Sequence, residues 1–304
     1  MYTFSNKLRN LAFAFMAIGL AGLVYGFLSA PKTVEEAKAM VATEHHGAGH
    51  GEEHAQEAHA EESTHDAHQT EDHAAETAHG EEHDASHDEH LLHQLQNKPW
   101  AALYVAAFFF FMIALGTLAF YAIQRAAQAG WSPVLYRVME GITAYLLPGG
   151  IIVIAILAMS GFHMNHLFIW MDPEVVAHDK LIAGKVAFLN VPFFLGRAVF
   201  FLAGWVLYRF ISRKFSLAQD EASDDSNHVK NFRLSAGFLV FFIVTESIMS
   251  WDWIMSIDPH WFSTLFGWYV FASMFVSGIT AIALITIYLK SKGYLEFVND
   301  SHIH

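Results

Sequence analysis

The sequence predicts an all-α integral membrane protein that crosses the bilayer with about six helices. Of its 304 residues, 54% are hydrophobic and only 15% are charged, whereas soluble domains carry roughly a quarter of their residues as charges. The charges crowd into a few segments, and the stretches between them run to about 20 apolar residues or more, the length that covers a ~30 Å hydrocarbon core at ~1.5 Å rise per residue. Aromatic residues make up a further 15%, with 27 Phe in the chain.

The first span runs from about Leu8 to Ser29 and is introduced by Lys7 and Arg9. Its apolar run is long for the core of a secretory signal, so residues 1–30 are read as an N-terminal transmembrane helix. Residues 31–98 are polar, and 13 of the 20 histidines lie between His45 and His93. No apolar periodicity is present there, which predicts a His/Glu-rich disordered segment, loosely helical where Ala and Glu accumulate. Residues 99–304 form a multi-helix membrane domain. Its spans are expected at about Trp100–Gln124, Arg137–Ser160, Ala183–Ile211, Phe232–Ser256 and Thr264–Leu289. Pro148 with Gly149 and Gly150, and Pro192, fall inside the third and fourth spans, where neighbouring helices must satisfy the freed backbone groups.

The Lys and Arg distribution predicts orientation. With the N-terminus inside, the inner segments hold 11 basic residues and the outer segments five. The N-terminus is then cytoplasmic and the His-rich segment extracytoplasmic. The net charge of −13 is local in origin: residues 31–99 hold 17 acids against three lysines, and nothing in the chain suggests nucleic-acid binding. The absence of cysteine removes thiolate metal sites, iron–sulfur ligation and disulfides. No P-loop, nucleophile elbow or dinucleotide fingerprint is present, and no catalytic residue or bound cofactor is assigned.

Ionisable groups within spans are costly and therefore functional candidates. Counted from a helix start at Ala183, Arg197 lies ~21 Å deep, and Glu246 lies ~15 Å from the same surface, so the two can pair if the fourth and fifth helices are neighbours. Glu140, near the start of the third span, reads as an interfacial carboxylate of the solvated kind. The densest cluster is TESIMSWDWIMSIDPHWFSTLFGWY, with Glu246, Asp252, Asp258 and His260 among four tryptophans. Glu246, Ser250 and Trp253 share a helix face, and Asp252 is rotated away from it. An aromatic belt with a turn at Asp258–Pro259 and a polar vestibule for protons both fit this cluster. Lys185 opens the fourth span. His163 and His166 are an H-x-x-H pair at the end of the third, and two ligands on a loop read as a surface pair rather than a metal site.

From Arg137 onward, and most clearly in KVAFLNVPFFLGRAVFFLAGW and SIMSWDWIMSIDPHWFSTLFGWYVFASMF, the chain resembles the NrfD/PsrC-like membrane subunits of bacterial alternative complex III, in particular the ActF type. That resemblance implies a four-helix bundle plus additional helices, and a quinol:cytochrome c or quinol:oxidase oxidoreductase in the inner (cytoplasmic) membrane. It implies about ten spans, so a chain with six reads as a C-terminally incomplete or shortened relative. It implies lipid and protein partners: a second NrfD-like subunit, multihaem and monohaem cytochrome subunits, an iron–sulfur subunit and small membrane subunits. This chain would bind no cofactor itself, with menaquinone nearby, and its proton-path or quinone-site positions would be Lys185, Arg197, Glu246, Asp252, Asp258 and His260, with Glu140 added from the residues alone. Two other classes fit the composition: a transition-metal transporter with a His-rich sensor loop, and a purely structural membrane scaffold.

Overall fold

The computed structural model describes residues 5–47 and 76–302. Among the described residues every regular element is helical, and six helices are long and apolar enough to cross a membrane. The protein is a multi-pass, all-α membrane protein. The chain divides into two units, residues 1–100 and 101–304.

In the first unit, α1 (Asn6–Ser29) is apolar all round and has no buried residue, as expected of a helix whose solvent is lipid. It ends before Pro31, whose ring cannot continue a helix. After it come α2 (Val34–Gly47) and the start of α3 (Glu76–Ala126). Gln96 Nε2 donates to the Pro31 carbonyl at 3.1 Å, and Phe27 meets Trp100 edge-on at 5.0 Å. The polar segment is therefore helical at both ends, where the sequence suggested disorder or loose helix. Residues 48–75, which hold much of its histidine, lie outside the described residues.

The second unit contains the rest of α3, then α4 (Tyr136–Ile142) and α5 (Leu146–Gly161), which together make the third span. Short helices α6 (Pro173–His178) and α7 (Lys180–Ala183) follow, then α8 (Val191–Glu221), α9 (Ser226–Trp253) and α10 (Phe266–Ser291). Helix α8 packs against both α9 and α5, and α9 also against α10. The centre is aromatic: Phe111 of α3, Trp205 of α8 and Trp253 of α9 are fully buried with ring centroids about 6 Å apart. Tyr104 anchors this centre by donating to the Trp253 carbonyl at 2.7 Å.

The fourth span begins later than the sequence suggested. Helix α8 starts at Val191, capped by Asn190, whose side-chain oxygen accepts from the Phe193 amide at 3.1 Å, and Pro192 occupies its first turn. Residues 184–190 are turn, not helix. Pro192 thus marks a helix start, where its missing N–H costs nothing.

Helices α3 and α10 cross with their backbones almost touching. A Cβ on Gly116 would lie 2.2 Å from the Met274 carbonyl oxygen, and one on Gly278 would lie 2.8 Å from the Gly116 backbone. Backbone cannot move aside as a side chain can, so the helices would have to separate. Gly116→Ala is expected to destabilise the protein by about 1–3 kcal/mol, read as a lowered denaturation midpoint in detergent micelles. Gly141→Ala, inside α4 where a Cβ meets nothing within 4 Å, is expected to hold the midpoint or raise it slightly.

Candidate functional site

The polar residues inside the second unit gather into two clusters at opposite ends of the bundle. One lies at the tryptophan-rich end, where α8 begins and α9 finishes. The other lies at the basic end, where α3 finishes and α9 begins.

At the tryptophan-rich end, Arg197 reaches from α8 to Asp252 of α9. Its Nε donates to Oδ2 at 2.6 Å and its Nη2 to Oδ1 at 2.9 Å, a bidentate pair, the strongest geometry open to a guanidinium and a carboxylate. Asp252 is 0% exposed. Nη2 also donates to the Phe188 carbonyl at 3.1 Å, and the guanidinium stands 4.1 Å from the Phe188 ring centre. This corrects the expected pairing of Arg197 with Glu246. Because α8 starts at Val191, Arg197 is only six residues, or ~9 Å, into the helix, level with the end of α9 rather than its middle.

Beside the pair lies a cavity of about 360 Å³, lined by Lys185, Phe188, Trp251, Ser256, Trp261 and Phe262 among others. Its wall is apolar and aromatic with few polar groups. Lys185 Nζ donates to the Pro259 carbonyl at 2.5 Å. The Trp251 indole N–H is buried with no hydrogen-bond partner among the described residues. Ser256 ties the pair to the loop before α6, donating to the Asp252 carbonyl at 2.5 Å and accepting from Trp170 at 3.2 Å.

His260 and Asp258 lie on the rim, both exposed. His260 Nε2 meets Asp179 Oδ2 at 2.5 Å. Asp179 also caps α7, and its carboxyl is held below the usual range by the Ile182 amide first, then by His260 and the Leu181 amide. The structure thus brings Lys185, Arg197, Asp252, Asp258 and His260 to one end of the bundle. Glu246 stands apart from them: it is buried, and its Oε1 has no hydrogen-bond partner among the described residues.

At the basic end, Glu140 is buried and not solvated as the sequence suggested. Its Oε2 accepts from Arg137 at 2.6 Å, and its Oε1 accepts from Tyr121 at 3.2 Å and stands 4.0 Å from Arg125. Arg125 donates to Tyr121 and to Ser216 and stacks on the Tyr136 ring. The chain of hydrogen bonds continues inward from Tyr121 through Ser212 to Asn231, at 3.3 and 2.6 Å. Arg137 also pairs with Asp220 at the surface. Sequence reasoning missed Arg125, Tyr121, Ser212 and Asn231. The i, i+4 spacing of Tyr121 with Arg125, and of Ser212 with Ser216, was the available signal.

The two clusters do not meet. On α9 the buried polar residues stop at Ser235 and resume at Thr245, a gap of ten residues or ~15 Å, filled by Phe238 and Phe242. Trp205 bounds the gap and donates to Thr245 at 3.0 Å. Of the H-x-x-H pair, His163 is exposed and His166 half-buried, and no group of three or more potential metal ligands occurs among the described residues. Compared with known proteins, the chain matches no family model and no curated protein sequence.

Proposed function

We propose that this chain is a membrane subunit of a respiratory quinol:electron-acceptor oxidoreductase of the alternative complex III kind. It sits in the cytoplasmic membrane with its basic end toward the cytoplasm. It carries no cofactor of its own and works beside haem-bearing and iron–sulfur subunits and a second NrfD-like subunit. The single observation that carries this is the bidentate Arg197–Asp252 pair next to an apolar, aromatic cavity. A quinol head-group is a flat ring with polar oxygens at its ends. The aromatic walls suit the ring, and Lys185 in the wall supplies a donor for an oxygen.

A quinol, when bound, supplies electrons and protons; this chain's residues handle only the protons. Asp252 accepts one more readily as Arg197 loosens its hold, because the guanidinium's charge and its two hydrogen bonds favour the ionised carboxylate. Arg197 also holds the Phe188 carbonyl, and Phe188 lines the cavity. Movement of Phe188 by a head-group is thereby coupled to the proton affinity of Asp252. Protons leave through the rim at His260 and Asp258. The cluster around Glu140 forms a separate entry from the cytoplasm, and the Phe238–Phe242 gap keeps the two from short-circuiting, with Glu246 the ionisable group between them.

The test is the intact complex in vesicles, with quinol oxidation and proton release measured together. Asp252→Asn and Glu246→Gln are each expected to lower the ratio of protons moved to electrons transferred. An unchanged ratio in both variants, or purification of the chain without multihaem cytochromes, rules the proposal out.

A further inference from the structure

Helices α8 and α9 enclose a second feature on their outer surface, far from the Arg197–Asp252 pair and independent of any role for it. It is a groove of about 360 Å³ lined by Gly204, Leu207, Tyr208, Ile211, Arg233, Leu234, Gly237, Phe238 and Phe241. Arg233 is its one charged wall residue. The groove exists because side chains are missing from it: a Cβ on Gly237 would meet nothing within 4 Å, and Gly204 has room only for the Phe241 ring that covers it. Tyr208 and Phe238 stack face to face at 3.8 Å and form its floor.

The register of the two helices is fixed by Ser212 with Asn231 and by Tyr208 with Ser235. It places Lys214 level with Lys230, and Arg233 about one helical turn, or ~6 Å, deeper at the end of the groove. Lys214 continues the α8 wall from Leu207 and Ile211, and Lys230 continues the α9 wall from Leu234 and Gly237, by three- and four-residue steps. All three basic side chains are exposed, and none has a hydrogen bond or ion pair among the described residues. The acids of the α8–α9 turn lie farther out: Asp225 is five residues, or ~8 Å, beyond Lys230, and Asp220, six residues beyond Lys214, is paired with Arg137.

Span length fixes the depth of this basic group. A ~30 Å core takes about 20 residues. Counted from Val191, that reaches Ile211; counted back from Trp253, it reaches Arg233. The apolar groove therefore lies within the hydrocarbon, with Arg233 at its edge and Lys214 and Lys230 ~4.5 Å beyond, at the level of lipid phosphates. We propose that this groove holds an acyl chain of an anionic glycerophospholipid whose phosphate is bound by Lys214, Lys230 and Arg233. A zwitterionic lipid sets an ammonium beside its phosphate, which three nearby cations repel, so the site favours net negative charge.

The test is native mass spectrometry of the purified full chain in detergent, titrated with phosphatidylglycerol and with phosphatidylcholine of the same acyl chains. The wild type is expected to retain phosphatidylglycerol at least about tenfold better. Each of Lys214→Gln, Lys230→Gln and Arg233→Gln is expected to weaken it by roughly fivefold, with phosphatidylcholine unaffected. Gly237→Leu, which fills the groove and touches no charge, is expected to weaken both lipids. Helicity and melting in lipid-free detergent identify any variant that has lost its fold, and the remaining single variants then carry the test. The proposal is overturned if the wild type shows no preference, if folded charge variants keep it, or if Gly237→Leu binds phosphatidylglycerol as before. Displacement of phosphatidylglycerol by inorganic phosphate alone overturns it too, since that would mark a simple anion site.

Discussion

Arg197→Leu is expected to destabilise the protein by about 3–5 kcal/mol, the cost of leaving one partner of a buried pair uncompensated. The asymmetry between the partners sharpens the expectation. Asp252 is fully buried, whereas the Arg197 side chain keeps 18% of its exposure. An arginine released by Asp252→Leu can turn toward the membrane surface, only ~9 Å away along α8, and recover hydration. An aspartate released by Arg197→Leu cannot, and must take up a proton or draw in water. The loss should therefore be larger for Arg197→Leu than for Asp252→Leu. The double variant should be far less destabilised than the sum of the two, because a buried pair replaced by apolar residues is often neutral. Denaturation midpoints of the four proteins in one detergent read this directly. Equal, additive losses would mean that the two side chains do not sense each other. Arg197→Lys tests the geometry: an ammonium cannot make two parallel bonds to the carboxylate and hold the Phe188 carbonyl as well, so lysine should restore only part of the loss.

The helical membrane architecture was legible in the sequence because hydropathy over 20 residues reports composition, and composition decides whether a helix can live in lipid. Depth was less legible. The stretch from Val186 to Leu189 is as apolar as the first turns of α8, so hydropathy runs straight through the turn that precedes that helix. The break was nonetheless written in the Asn190–Val191–Pro192 triplet, a helix cap followed by a proline in the first turn. Read that way, Arg197 moves up by ~12 Å and its natural partner becomes Asp252 rather than Glu246. Pairing across helices was not legible at all from one sequence. Asp252 and Glu246 differ in which side of α9 they occupy, and only the packing of α8 against α9 decides which meets an arginine. Glu140 failed for a related reason. Its neighbour Arg137 is three residues away and visible, but Arg125 and Ser216 come from α3 and α8, and their approach buries a carboxylate that sequence position alone would leave in water.

Glu140→Ala is expected to cost about 3–5 kcal/mol for the same physical reason at the other end of the bundle. It leaves Arg125, 4% exposed, with no carboxylate beside it. Arg137 suffers less, since it keeps Asp220 at the surface. Glu140→Gln retains an oxygen to accept from Tyr121 but not the charge that balances Arg125, so its loss should fall between wild type and alanine. Tyr121→Phe removes the hydroxyl through which Glu140, Arg125 and Ser212 are joined. It should cost about 1–3 kcal/mol, and its effect should shrink in the Glu140→Ala background, because the hydroxyl then has one bond fewer to lose. Asp220→Ala is the internal control. Its carboxylate is 62% exposed, and exposed ion pairs contribute about 0–1 kcal/mol, so a loss near that of Glu140→Ala would show that burial is not what makes the Glu140 cluster costly to break. An effect of Glu140→Ala no larger than that of Asp220→Ala would mean that Glu140 is hydrated after all, and that the basic end offers no dry, charge-balanced entry to the bundle.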